Sequence, residues 1–205
     1  LLGYYGSESA GSITLVTPDQ FAQRTVERGL QPLPDENLSQ RIQAMPAVPL
    51  AHTSKKKMSL AGAQHKLAIN YKNDGIYEPV GETPSTHILK PNHPDNDYAH
   101  SVINEYFVMR LAKTLGLDVP SVYRRYVPEP VYLIERFDRK ENEGTYQRVH
   151  AIDACQLLGL DRNYKYVKGS MATLAALANA CRSPAVARVR LFTWLVFNIL
   201  IGNTD

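Results

Sequence analysis

The sequence predicts an α+β chain in two parts, a mainly antiparallel sheet with one packed helix followed by a helical segment. Three observations carry that expectation. Between Lys66 and Glu135, short apolar runs of strand length alternate with turn residues, interrupted by one helical pattern from Ser101 to Leu115. After Val149 the apolar spacing is helical. With 205 residues, 44% hydrophobic and 21% charged, the composition is that of an ordinary globular chain, long enough for one large domain or two small ones, and it argues against disorder.

Taken in order, Gly11 to Val16 reads as a strand and Thr17 to Leu33 is mixed. Pro34-Asp35-Glu36 opens a helix, with Asp35 as N-cap, Glu36 where the helix dipole favours a negative charge, and Leu38, Ile42 and Met45 on one face. Pro46 ends it. Residues 47–57 form a proline-containing linker closing on Lys55-Lys56-Lys57, a solvated loop or a basic patch. Lys66 to Tyr71 and Ile76 to Val80 flank Lys72-Asn73-Asp74-Gly75, where Asp-Gly is expected to supply the positive φ angles of a hairpin turn. Thr86 to Lys90 adds a strand, and a polar, proline-broken loop leads to the helix from Ser101. That helix carries Ile103, Phe107 and Leu111 at helical spacing, with Glu105 on a different face, and closes at Gly116 and Pro120. Val122 to Val127 and Val131 to Glu135 form a second hairpin around Pro128-Glu129-Pro130. Arg139 to Gly144 is a charged turn between lobes or strands, and helices are expected over Ala151 to Leu158, Met171 to Cys181 and Ala185 to Ile201. The segments are therefore 1–50, 51–139 and 140–205, with the main boundary near Arg139.

A formal charge of +3 and a pI near 8.8 allow acidic partners without pointing to nucleic acid. Cys155 and Cys181 lie in apolar, helix-like patterns and are expected as two buried free thiols in a reducing compartment. The six histidines show no paired ligand spacing, so no structural zinc is expected. No secretory pattern precedes Gly3, and Arg188, Arg190, Thr193 and Asn198 break the last apolar run, which places the protein in the cytoplasm with no membrane span. A chain that starts at Leu1 and stops at Asp205 inside a motif is expected to be a piece of a longer protein.

The stretch Met58-Ser-Leu-Ala-Gly-Ala-Gln-His-Lys-Leu-Ala-Ile69 sets small residues before an alternating apolar run. A backbone able to hug a ligand would there feed directly into a strand. Ser59, Ala61, Gly62 and Ala63 keep bulk away, so their N–H groups could reach phosphate oxygens, and Lys90, at the end of a following strand, could place an ammonium beside them. Alone, the same residues also fit an ordinary hairpin loop with a surface lysine after it. Ile134-Glu135-Arg136-Phe137 could offer backbone groups and apolar walls to a flat ring, or form an amphipathic edge strand. Asp138 fits a sugar hydroxyl or a local turn cap. Gly202-Asn203-Thr204-Asp205 delivers a carboxylate on a loosened loop after an apolar helix, or is a plain turn.

Six collinear pieces go beyond generic pattern: Ser59 to Lys66, Thr86 to Pro91, Asn104-Glu105-Tyr106, Ile134 to Arg139, His150 to Gly159, and Phe197 to Asp205. Together they resemble the kinase domain of HipA-type toxins, the serine/threonine kinases of bacterial toxin–antitoxin pairs. The resemblance implies a two-lobed protein-kinase-like fold with ATP and Mg2+ as cofactors. It implies that Ser59, Ala61, Gly62 and Ala63 cover the phosphates, that Glu105 orients Lys90 upon them, that the backbone of Glu135 and Phe137 holds the adenine edge, and that Asp205 is the catalytic aspartate. It further implies autophosphorylation of Ser59, which would put about two negative charges where the ATP phosphates must sit. No metal ligand is expected up to Asp205, because the family's magnesium-binding asparagine and aspartate come after that motif, so this stretch alone is expected to be inactive. The implied partners are a DNA-binding antitoxin of the HipB type, with DNA met only through it, and an aminoacyl-tRNA synthetase as substrate, whose phosphorylation halts translation. The alternative is a catalytically inactive kinase-like subunit that acts through the antitoxin and operator DNA. His65 departs from the family, which often has glutamate there.

Overall fold

The computed structural model describes residues 8–13, 18–22, 28–45, 47–54, 58–59, 64–161, 163–164 and 169–203. In chain order the elements are β1 (Glu8–Ser9), α1 (Pro18–Ala22), β2 (Arg28–Pro32), α2 (Asp35–Gln43), β3 (Met58–Ser59), β4 (Leu67–Lys72), β5 (Gly75–Gly81), β6 (His87–Pro91), α3 (Ser101–Thr114), β7 (Val122–Tyr126), β8 (Pro130–Glu135), β9 (Arg139–Asn142), β10 (Thr145–Arg148), α4 (Ala154–Leu157), α5 (Met171–Ala180) and α6 (Pro184–Leu200). Six strands form one sheet in the order β2-β5-β4-β6-β8-β7, antiparallel at every step. β1 and β3 pair in parallel, and β9 and β10 form a separate hairpin.

The β4–β5 turn shows how local chemistry sets register. Lys72 stands opposite Gly75, leaving Asn73 and Asp74 as the two turn residues, with φ of 50° and 57°. The positive φ angles thus fall on Asn73 and Asp74 rather than on Asp-Gly, because asparagine and aspartate tolerate the left-handed region. Gly75 is already in the strand, where a Cβ would lie 2.7 Å from the Tyr77 ring. Glu143 and Gly144 (φ 49° and 77°) turn β9 into β10 in the same way. The charged stretch, expected as a turn between lobes or strands, thus lies between strands, and Arg139–Asn142 is itself the first of them.

Alternation along the strands sorts the sheet into two apolar faces. On one face, Leu67 and Ile69 of β4, Leu89 of β6, and Val131 and Leu133 of β8 pack with Leu38 from α2, and Ile42 and Met45 join them at helical spacing. Asp35 does not cap α2: Pro34 holds the N-cap position without a side-chain bond, and Asp35 receives Arg125 Nη2 at 2.9 Å instead. Leu38 is fully buried. Leu38→Ala is expected to destabilise the fold by about 2–5 kcal/mol through lost burial and the cavity left behind, read as a lower midpoint in urea melts at unchanged slope.

On the other face, Val102 of α3 packs with Val122 and Tyr132, and Tyr106, Met109 and Ile134 surround them. The apolar face of α3 is thus Val102, Tyr106 and Met109, not Ile103, Phe107 and Leu111. Ile103 and Phe107 are 48% and 63% exposed. Two apolar stripes run along this helix, and periodicity alone does not say which meets the sheet.

The chain forms two compact units, Leu1–Arg110 with Val119–Ala151, and Leu111–Asp118 with Ile152–Asp205. The first continues past Arg139 because that residue is buried at its centre and the β9–β10 hairpin follows. In the second, Asp153 and Gln156 close a capping box on α4, Ser170 caps α5, and Pro184 begins α6. Here α5 packs on α6, and Arg188 donates to Asn179 Oδ1 at 2.6 Å. Gly202, at φ 70°, ends α6. The cysteines are free, as expected, but not buried: Cys155 is half-buried, and Cys181 is exposed just beyond α5, whose only buried residue is Ala178. Among the described residues, no helix is long and apolar enough to cross a membrane.

Candidate active site

The strand and helix on the α3 face bring together two of the residues singled out from sequence. Lys90, next to last in β6, donates from Nζ to Glu105 Oε2 on α3 at 2.6 Å. Their side chains are 26% and 30% exposed, so the ammonium is held yet open to an incoming anion. The Tyr132 ring lies beneath it, 5.8 Å from Nζ to the centroid. Tyr132 is buried, and burial, followed by the nearby Glu105 charge, pushes its hydroxyl far above its ordinary pKa, so it stays neutral.

Two residues missed in the sequence fix the helix in register with the strand. Asn92 Oδ1 accepts from the Val102 amide at 3.0 Å, and Ser101 Oγ accepts from the His93 amide at 2.8 Å. The start of α3 is thereby tied to the end of β6, and Glu105, one turn along, reaches Lys90. A polar residue just after a strand and a serine at a helix start were the available signals. Gln64 Nε2 adds a long contact of 3.4 Å to the Pro91 carbonyl, joining the stretch before β4 to the same strand end.

At the end of β8 the Glu135 amide donates to Ser121 O and the Arg136 amide to Thr86 O, both at 2.9 Å. The Phe137 amide has no partner among the described residues, and its ring is 76% exposed. Of the two residues assigned to an adenine edge, Phe137 therefore has its N–H open, whereas that of Glu135 is already engaged within the sheet.

Asp138 does not cap a local turn, and its carboxylate is turned inward. It is buried, and its oxygens accept from Arg136 Nε and Nη2 at 2.9 and 2.7 Å and from the Gly11 amide at 2.6 Å. Glu8, fully buried, accepts from Arg136 Nη1 (2.9 Å), Arg139 Nη2 (2.7 Å), Arg148 Nη2 (3.2 Å) and Ser85 Oγ (2.7 Å). Burial alone would raise the Asp138 carboxyl, but the hydrogen bonds from Arg136 and Gly11 and the charges of Arg136 and Arg139 hold it below the usual range. Burial, then the neighbouring Arg136, lowers Arg139. The motif at Arg136, Asp138 and Arg139 is thus a structural lock just after β8.

Ser59 pairs opposite Ser9 in the parallel β1–β3 ladder. Ala61, Gly62, Ala63 and Asp205 lie outside the described residues. Among the described residues, no group of three or more histidine, cysteine, aspartate or glutamate side chains is arranged to hold a metal ion.

An antiparallel sheet whose strand lysine is paired with a glutamate of the helix packed upon it defines a protein-kinase-like fold. The chain belongs to the family of the HipA-like C-terminal domain, which matches residues 58–205. It is 33% identical over 226 residues to the serine/threonine-protein kinase toxin HipA of Shewanella oneidensis, covering 100% of this chain and 50% of that protein. It is 34% identical over 220 residues to the putative kinase Y4mE of Sinorhizobium fredii, covering 100% and 51%. Among solved structures, a chain of the complex of Shewanella oneidensis HipA, HipB and operator DNA superimposes with a TM-score of 0.76 at 32% identity, covering 96% of this chain and 49% of that one. The chain thus spans about half the length of these relatives. The α+β, kinase-like fold expected from the sequence is the fold observed.

Proposed function

We propose that this chain is the nucleotide-binding part of an ATP-dependent serine/threonine protein kinase, the toxin of a toxin–antitoxin pair. The observation that carries the reading is the Lys90–Glu105 ion pair between β6 and α3. Phosphoryl transfer is catalysed mainly by positioning and by fixed charge, and a carboxylate that holds an ammonium at a strand end prepays its orientation. In this reading Lys90 meets the ATP phosphates, Ser59, Ala61, Gly62 and Ala63 cover them, and Glu135 and Phe137 face the adenine edge. Asp205 would hold the substrate hydroxyl as general base, and phosphorylation of Ser59 would silence the enzyme. Mg2+ is the proposed companion of ATP, although among the described residues no group of three or more histidine, cysteine, aspartate or glutamate side chains is arranged to hold it.

The HipB-like antitoxin is proposed as partner on the strength of the Shewanella complex, with operator DNA contacted through it. An aminoacyl-tRNA synthetase as substrate and a cytoplasmic location complete the proposal. ATP titration of the complete gene product tests it. Saturating nucleotide at about 100 times its dissociation constant should add about 2.7 kcal/mol of stability, and labelled phosphate should appear on the protein or a synthetase. Absence of any nucleotide stabilisation would overturn the reading. Stabilisation without transfer would instead favour an inactive kinase-like subunit.

A further inference from the structure

The sheet face turned away from Lys90 carries a concavity. Positions three apart on a strand face opposite ways, so His87 on β6 and Glu135 on β8 lie across the sheet from Lys90 and Tyr132. Beyond the end of the apolar core, Tyr71, His87, Tyr123, Tyr146, Asp74 and Glu135 line a cavity of about 410 Å3. Tyr71 and Tyr123 have ring centroids 5.2 Å apart, and His87 lies 5.6 and 5.8 Å from them. These rings brace one another and form a preorganised aromatic wall.

The polar groups around the wall are unequally occupied. Asp74 accepts the Tyr71 hydroxyl at 2.6 Å, and Arg125 is engaged by Asp35 and by the Asp74 carbonyl. Burial, then the bond and charge of Asp74, push the Tyr71 hydroxyl up to about 12. Burial lowers His87 although Glu135 draws it upward, so the imidazole is neutral at pH 7 and does not repel a cation. Glu135 makes no side-chain hydrogen bond or ion pair among the described residues. Lys72, on the rim, is exposed and can swing away. An anion would meet Glu135 and Asp74 there, and an apolar group would leave Glu135 unmatched. A planar cation that stacks on a ring and forks onto a carboxylate uses both features, which favours guanidinium over ammonium.

We propose that this concavity receives the side chain of an arginine presented by a partner polypeptide, the guanidinium lying against the tyrosine rings with its N–H groups on Glu135. The contact is on the opposite sheet face from the Lys90 pair and does not rest on the kinase reading. A capped Gly-Gly-Arg-Gly-Gly peptide tests it, titrated into the complete gene product carrying 3-fluorotyrosine and followed by fluorine NMR. The control peptide carries citrulline, which keeps the shape and loses the charge. The arginine peptide should give saturable shifts at Tyr71, Tyr123 and Tyr146, bind at least about threefold more tightly than the citrulline peptide, and weaken by a similar factor in Glu135→Gln or Tyr146→Leu. Equal binding of both peptides, unchanged affinity in Glu135→Gln, or no saturable shift at those tyrosines would overturn the assignment.

Discussion

Lys90→Met in the complete gene product is expected to lower phosphoryl transfer by at least about 100-fold while leaving the melting temperature within a few degrees of the parent. The asymmetry follows from where the pair sits. With side chains 26% and 30% exposed, the Lys90–Glu105 bridge is screened by water and contributes about 0–1 kcal/mol to folding. Methionine keeps the aliphatic stem and its packing over Tyr132. What is lost is the one fixed charge this strand presents, and removing one preorganised donor from a site of developing negative charge typically costs about 100- to 1,000-fold. Glu105→Gln should cost less, since the amide can still accept the lysine hydrogen bond without its charge assistance. Radiolabel transfer and a thermal melt on the same preparations decide it. Transfer within threefold of the parent in a folded Lys90→Met protein would remove this residue from the mechanism.

Glu8→Ala should have the largest effect on stability, about 3–5 kcal/mol, seen as a melting temperature lower by roughly 10 °C. Glu8 accepts from three arginines and a serine with no exposure to water. Its removal leaves Arg136 and Arg139 with Asp138 alone and takes from Arg148 the carboxylate it donates to, and uncompensated buried charge is what makes breaking such a network costly. The same cluster predicts acid sensitivity. Asp138 has a folded pKa below its unfolded value near 4, so the unfolded chain binds the proton first. Its contribution is fully present above about pH 4 and is lost as pH falls through the folded value. Denaturation midpoints measured from pH 7 down to pH 3 should show the drop below pH 4, and a Glu8→Ala midpoint equal to that of the parent would show that the cluster does not hold the unit together.

The pairing of Lys90 with Glu105 was reached through the resemblance to kinases, and local signals placed each residue in its element, a short strand ending at Pro91 and a helix of regular apolar spacing. The inward face of that helix was not. Ile103 and Phe107 are as hydrophobic as Val102 and Tyr106, and the choice between the stripes was made by Asn92 and Ser101, whose hydrogen bonds fix the rotation of α3 on the sheet. The reading of Asp138 failed for a related reason. Glu8 lies 130 residues away in the chain, and no local pattern reports an ion partner at that separation.

The order of β4 to β8 with α3 among them, the hairpin at Asn73–Asp74 to within a residue, and the family to which the chain belongs were determined by the sequence itself, because turn chemistry, apolar period and short motifs are local properties. The tertiary structure alone decided which stripe of α3 is buried, that Arg136, Asp138 and Arg139 close a lock around Glu8, and that Tyr71, His87, Tyr123 and Glu135 meet on one face. Each of these depends on residues far apart in the chain, and only the packing of the strands brings them within reach of a hydrogen bond or a ring contact.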